Sequence, residues 1–139
     1  MKAALLGTNV LLALAWPNHQ HHAQATHGSR PIKEGWATCA FTQLGFVRLS
    51  SNPGYTSNAV SPQDAATLLQ RWTRLGAHRF WDSPAGDDPA IYTRAIGHQQ
   101  VNDAWLVEVA RRNSGCLITL DTRLPIHAIE AGLVEVIQT

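Results

Sequence analysis

Short apolar runs alternate with longer amphipathic stretches along the 139 residues. Five runs read as strands: Ala3 to Leu6, the segment GWATCAF, His78 to Trp81, Cys116 to Leu120 and Leu133 to Ile137. Helical patterns fall between them. Thr8 or Asn9 can cap a short helix through Leu14, which Pro17 ends, and a polar helix follows over about His19 to Ala25. In FTQLGFVRL the spacing puts Phe41, Leu44 and Val47 on one face and Gln43 near the rim of the sheet. Ser61-Pro62-Gln63-Asp64 supplies an N-cap, a proline at the first helical position and an acid in the first turn of a helix to about Leu75. DSPAGDDPA reads as a loop, and a further helix spans about Asn102 to Arg112. Strands alternating with helices predict a parallel sheet covered on both faces, a three-layer α/β/α arrangement.

Two aspartates give this pattern a chemical centre. The helix ending at Arg112 climbs roughly 15 Å at ~1.5 Å per residue. The strand after it returns about the same distance at ~3.3 Å per residue. Asp103, at the start of the helix, and Asp121, just past the strand, therefore come to one rim, the carboxyl edge where open α/β sheets build their sites. A first strand running parallel ends at the same rim, and the residue there is Gly7. The arrangement suggests a metal site with one carboxylate missing. Thr119, two residues before Asp121, shares its strand face and can support such a site, although threonine also suits strands in general. Asp103 equally serves as a helix N-terminal acid, and Asp-Thr-Arg at 121–123 equally makes an Asx turn.

Composition narrows the function. The length suits one domain with one core. A net charge of +1 provides no global field for a polyanion, so nucleic-acid contacts have to come from local Arg and Lys. Two cysteines, Cys39 and Cys116, sit in separate apolar runs and make no disulfide framework, which fits a reducing, cytoplasmic setting. The N-terminal apolar run is interrupted by Gly-Thr-Asn and lacks a small-residue cleavage site. No run reaches the ~18–20 apolar residues of a membrane span. His19, His21, His22 and His27 lack the spacing of a zinc motif and read as a solvated face. The five tryptophans read as core or interface residues.

Four blocks, LLGTNVLLALAW, TCAFTQLGFVRLSSNP, HQQVNDAWLVEVARR and LITLDTRL, resemble in order the PIN domain, and within it the VapC toxins of toxin–antitoxin pairs. The resemblance covers nearly the whole chain. It implies an endoribonuclease that cleaves structured cellular RNA with Mg²⁺ or Mn²⁺, its acids converging from four positions held here by Gly7, Gln43, Asp103 and Asp121. Two of those four are not acids. Gln43 can orient a water or a phosphate but cannot act as a base, and Gly7 offers no ligand at all. This sequence is therefore expected to be impaired; the alternative is a non-catalytic PIN-fold module that binds an antitoxin or RNA. Asn9 is implied as a supporting residue, a role that competes with helix capping. Arg48 and Arg94, which flank the rim blocks, are the foremost candidates for RNA phosphates, with Lys33 among the others. The resemblance further implies a VapB-like antitoxin and a homodimer, with contacts on residues 19–30 and the Trp72 helix.

Overall fold

In the computed structural model, which describes residues 3–28 and 35–139, a five-stranded sheet occupies the middle of the molecule. The strands are β1 (Ala4–Leu6), β2 (Trp36–Cys39), β3 (His78–Trp81), β4 (Cys116–Thr119) and β5 (Val134–Val136). Their order is β3-β2-β1-β4-β5, and every pairing is parallel. The helices are α1 (Thr8–Ala15), α2 (His22–His27), α3 (Ala40–Ser50), α4 (Pro62–Thr73) and α5 (Val101–Arg112), with short 3₁₀ turns at Pro89–Tyr92, His98–Gln100 and Leu124–His127. Lys33 and residues 29–30 lie outside the described residues.

The period-2 geometry of a strand divides the core into two halves. Ala4, Leu6 and Ile118 pack on one face with α1, Phe46 of α3 and Leu69 of α4. Leu5, Ala37 and Leu117 pack on the other with Leu106, Val107, Val109 and Ala110 of α5. This is the expected α/β/α arrangement. β1 is buried along its whole length, which is why ALL carries no polar alternation. Among the described residues no helix is long and apolar enough to cross a membrane.

Several local expectations are corrected. Gly7, not Thr8 or Asn9, is the N-cap of α1, and no side chain caps that helix. The polar helix begins at His22, because Trp16 to His21 form turns in which His19 N donates to Trp16 O and His22 N to His19 O. In α3 the buried residues are Thr42, Gly45, Phe46 and Ser50, while Leu44 is 71% exposed, so the face inferred from Phe41, Leu44 and Val47 is not the core face. The reason is packing: α3 lies against α1 at Gly45, where a Cβ would come within 2.9 Å of Thr8 Oγ1 and Cγ2. Only glycine permits that approach. By contrast, Ser61 Oγ accepts from Asp64 N at 3.0 Å, as its sequence predicts, and His78–Trp81 is the strand expected.

Gly115 fixes the entry to β4. A Cβ there would lie 2.5 Å from the carbonyl of Ala3 and 2.4 Å from the Trp81 ring. Gly115→Ala should destabilise the fold by about 3 kcal/mol, because neither a backbone carbonyl nor a buried indole can step aside. Urea denaturation of the variant beside the parent measures the difference.

Candidate active site

The carboxyl edge of the sheet holds a cavity of about 190 Å³. Gly7, Thr8 and Asn9 reach it from the β1–α1 junction, Phe41, Gly45 and Arg48 from α3, Asp103 from α5, and Thr119 and Asp121 from the end of β4. The parallel register makes this convergence possible: Leu6 pairs with Ile118, and Gly7 N donates to Ile118 O at 2.9 Å. Gly7 therefore stands beside the strand end that carries Thr119 and Asp121. Its φ of −60° and ψ of 157° are open to any L-residue. A Cβ at position 7 would meet Ile118 O at 3.2 Å, so a side chain there requires the strand end to give by a few tenths of an ångström.

The two carboxylates feel each other. Asp103 is half-buried, and its pKa is raised, first by burial and then by the charge of Asp121, with the charges of His127 and Arg123 acting the other way. Asp121 is shifted downward. Its main cause is the Arg123 guanidinium, whose Nε and Nη2 each donate to the carboxylate at 3.1 Å. Arg123 N also donates to Asp121 Oδ1 at 2.9 Å, so the Asx turn and the site carboxylate are one and the same residue. Thr119 Oγ1 accepts from Asp121 N at 3.0 Å and holds the strand end in shape. Thr8 Oγ1 is buried in the wall with no hydrogen-bond partner among the described residues.

A raised carboxyl, a second acid held by a surface guanidinium and an unsatisfied hydroxyl describe a corner short of positive charge. Magnesium is commonly held by one or two carboxylates, with waters and substrate oxygens completing its shell. Asp103 and Asp121 meet that minimum, and the donor set is of the hard-oxygen type that Mg²⁺ and Mn²⁺ prefer. Among the described residues no group of three or more His, Cys, Asp or Glu is placed to hold a metal. The histidines of residues 19–27 accordingly form no such group; His22 Nδ1 instead lies 2.7 Å from Ala13 O.

Gln43 does not reach this cavity. Its Nε2 donates to Thr38 Oγ1 at 3.0 Å, and the residue lines the groove between α3 and α4. Helical phase explains the difference: Phe41, Gly45 and Arg48 recur at spacings of four and three, whereas Gln43 is rotated about 200° from Phe41. Arg94 is also placed elsewhere, donating to Ile126 O at 3.3 Å and Ala128 O at 2.9 Å across the turn after β4. Arg48 is exposed and lines the cavity. Sequence reasoning missed Arg123 as the partner of Asp121, although its place two residues on in an Asx turn was a usable signal. It also missed His127, which is buried within the field of Asp103 and which no motif marks.

No family model matches the chain. Curated proteins do. The chain is 42% identical over 142 residues to Ribonuclease VapC39 of Mycobacterium tuberculosis, covering 96% of the chain and 99% of that protein. Ribonuclease VapC38 of the same organism is 40% identical, over 85% of the chain and 84% of its own length. Ribonuclease VapC44 is 38% identical over 91% of both. Among solved structures, the crystal structure of PAE2754 from Pyrobaculum aerophilum matches with a TM-score of 0.59 over 96% of this chain and 83% of that one, at 18% identity. That likeness bears on the fold alone.

The raised carboxyl has a stability signature. A folded-state pKa above the unfolded value adds stability below the unfolded pKa, and that stability is lost as pH rises through the folded pKa. Ionised Asp103 therefore costs stability at neutral pH. Asp103→Asn should melt above the parent at pH 7, and the gain should shrink as the pH is lowered to 3, where the Asp103 carboxyl is protonated. Thermal melts across that range, read by circular dichroism, make the comparison.

Proposed function

The chain belongs to the VapC ribonucleases, toxins of the PIN-domain fold, and from that premise we propose that it is a metal-dependent endoribonuclease directed at structured cellular RNA, impaired in this sequence by glycine at position 7. The observation that carries the reading is the cavity at the carboxyl edge of the sheet, where Asp103 and Asp121 face Gly7 across the β1–β4 register. Asp103 and Asp121 are the residues that would hold Mg²⁺ or Mn²⁺, which when bound supplies positive charge against the phosphate and lowers the pKa of an attacking water. The chain's own groups divide the remaining work. Arg48 offers a guanidinium to a phosphate entering the cavity. The first turn of α1 carries no acid and no side-chain cap, so its amide groups favour an anion at the same corner. Asn9 and Thr119 support the shell, and Gln43 and Arg94 lie outside the cavity lining.

A VapB-like antitoxin is the proposed partner, and a homodimer the proposed assembly. The α3–α4 face, on the helix of Trp72 and with Leu44 largely exposed, offers apolar surface for one of them.

One observation favours a second reading, a module that binds RNA or an antitoxin without cleaving. Position 7 has no carboxylate, and Asp121 is already paired with Arg123. Restoring the acid separates the two. Gly7→Asp should bind Mn²⁺ at least about tenfold more tightly by calorimetry. It should also cleave structured RNA at least about a hundredfold faster than the parent in Mg²⁺ or Mn²⁺, and chelator should abolish the cleavage. Tight antitoxin binding by both proteins with cleavage by neither would favour the module.

A further inference from the structure

A second cavity, of about 320 Å³, opens where the end of α1 meets the loop after α3. Trp16, His19 and Tyr55 line it together with the side-chain amides of Asn18, Gln20 and Asn58. Among the described residues no Asp, Glu, Lys or Arg lines it, so the lining carries no carboxylate, ammonium or guanidinium. It offers aromatic faces and neutral donors and acceptors, the combination that holds an unstacked nucleobase by its face and reads its edge.

Hydrogen bonds hold the Trp16 indole, the His19 ring and the backbone of the loop. Trp16 Nε1 donates to Ser50 Oγ at 3.0 Å, which sets the plane of the indole. Tyr55 N and Thr56 N both donate to Asn52 O, Gly54 N to Asn52 Oδ1, and Val60 N to Ser50 O, so the loop carrying Tyr55 and Asn58 is a series of closed turns. His19 Nδ1 accepts from His21 N at 3.0 Å, which leaves Nε2–H as the donor available to a ligand. The pKa of His19 is lowered by burial and by its histidine neighbours, in keeping with a neutral ring.

The cavity is tied to the acidic corner by the helices that build both. α1 lines the acidic cavity with Thr8 and Asn9 and the second one with Leu12. α3 lines the first with Gly45 and Arg48 and the second with Ser50. Eight residues at ~1.5 Å separate Thr8 from Trp16, about 12 Å, a distance that a few nucleotides of single strand cover. Arg48 lies between the two along α3.

We propose that this cavity seats one unpaired base of the RNA strand whose backbone crosses the acidic corner, a base-recognition subsite remote from the cleaved bond. The inference rests on RNA being the ligand, and it is tested without cleavage. Labelled 12-nucleotide homopolymers of adenosine, uridine and cytidine, and a base-free ribose-phosphate strand of equal length, are titrated with the parent chain in chelator and followed by fluorescence anisotropy. The tightest homopolymer should bind about tenfold more tightly than the base-free strand. Ser57→Trp, which fills the cavity from an exposed position, and Tyr55→Ala should each erase that difference while leaving the affinity for the base-free strand unchanged. Thermal melts check that both variants are folded. Base preference that survives in both folded variants overturns the proposal and leaves the cleavage reading standing. If the free nucleoside, followed by the Trp16 indole NMR resonance, binds as tightly as the strand, the cavity is a nucleoside site and the assignment to RNA fails. Absence of cleavage by Gly7→Asp overturns the catalytic reading and leaves this one intact.

Discussion

The hydrogen bond from Gly7 N to Ile118 O is the contact on which the geometry of the corner depends. It is the last rung of the β1–β4 ladder, and it brings the start of α1 beside the end of β4. With β1 buried on both faces, a slip of one residue would exchange Leu5 for Ala4 and Leu6 across the sheet and put the wrong volumes into both halves of the core. The register is thus set by apolar packing, and the chemistry inherits it. Asp121 follows the strand and Asp103 enters on the helix that packs against the opposite face of the sheet, so the acids converge because the core does.

Electrostatics at the corner is a balance of few charges. Burial and the repulsion of Asp121 raise Asp103, while Arg123 holds Asp121 down. Arg123 is largely exposed, and solvent screens an ion pair of this kind so that it holds its partner only weakly. A divalent cation or a phosphate with its counter-ions can displace such a pair at small cost. The Asp121–Arg123 pair therefore serves as a resting arrangement of an unmatched acid more than as a structural bond.

The parts legible in the sequence were those fixed by length and composition. Ser61-Pro62-Gln63-Asp64 encodes its cap locally, and His78–Trp81 shows as a strand without reference to its neighbours. The meeting of Asp103 and Asp121 followed from comparing the rise of a helix with that of a strand. Rotational phase was not legible. Gln43 was placed on the rim, but its direction depends on how α3 is turned against α1, and that turn is set by the Gly45–Thr8 contact between segments 37 residues apart. The position of Arg94 was not legible for a related reason, since its partners Ile126 and Ala128 lie in a turn that has no pattern of its own. The second cavity was invisible because its walls come from two segments, Trp16 to His19 and Tyr55 to Asn58, that nothing in the sequence shows to be neighbours.

Position 7 shows how one side chain can set the preference of the whole corner. The backbone there is extended and does not need glycine's freedom, so the absence of a side chain is a chemical statement and not a conformational one. With glycine, the first turn of α1 faces the cavity uncapped, and its amides and Arg48 are the groups there that meet a phosphate, beside two carboxylates that meet a cation. A carboxylate at the same position would cap those amides, repel phosphate, and add a third negative charge to Asp103 and Asp121. The corner would then favour a cation first and a phosphate only through it. Binding RNA and cutting RNA thus make opposite electrostatic demands on the N-cap of α1, and a cation is what reconciles them.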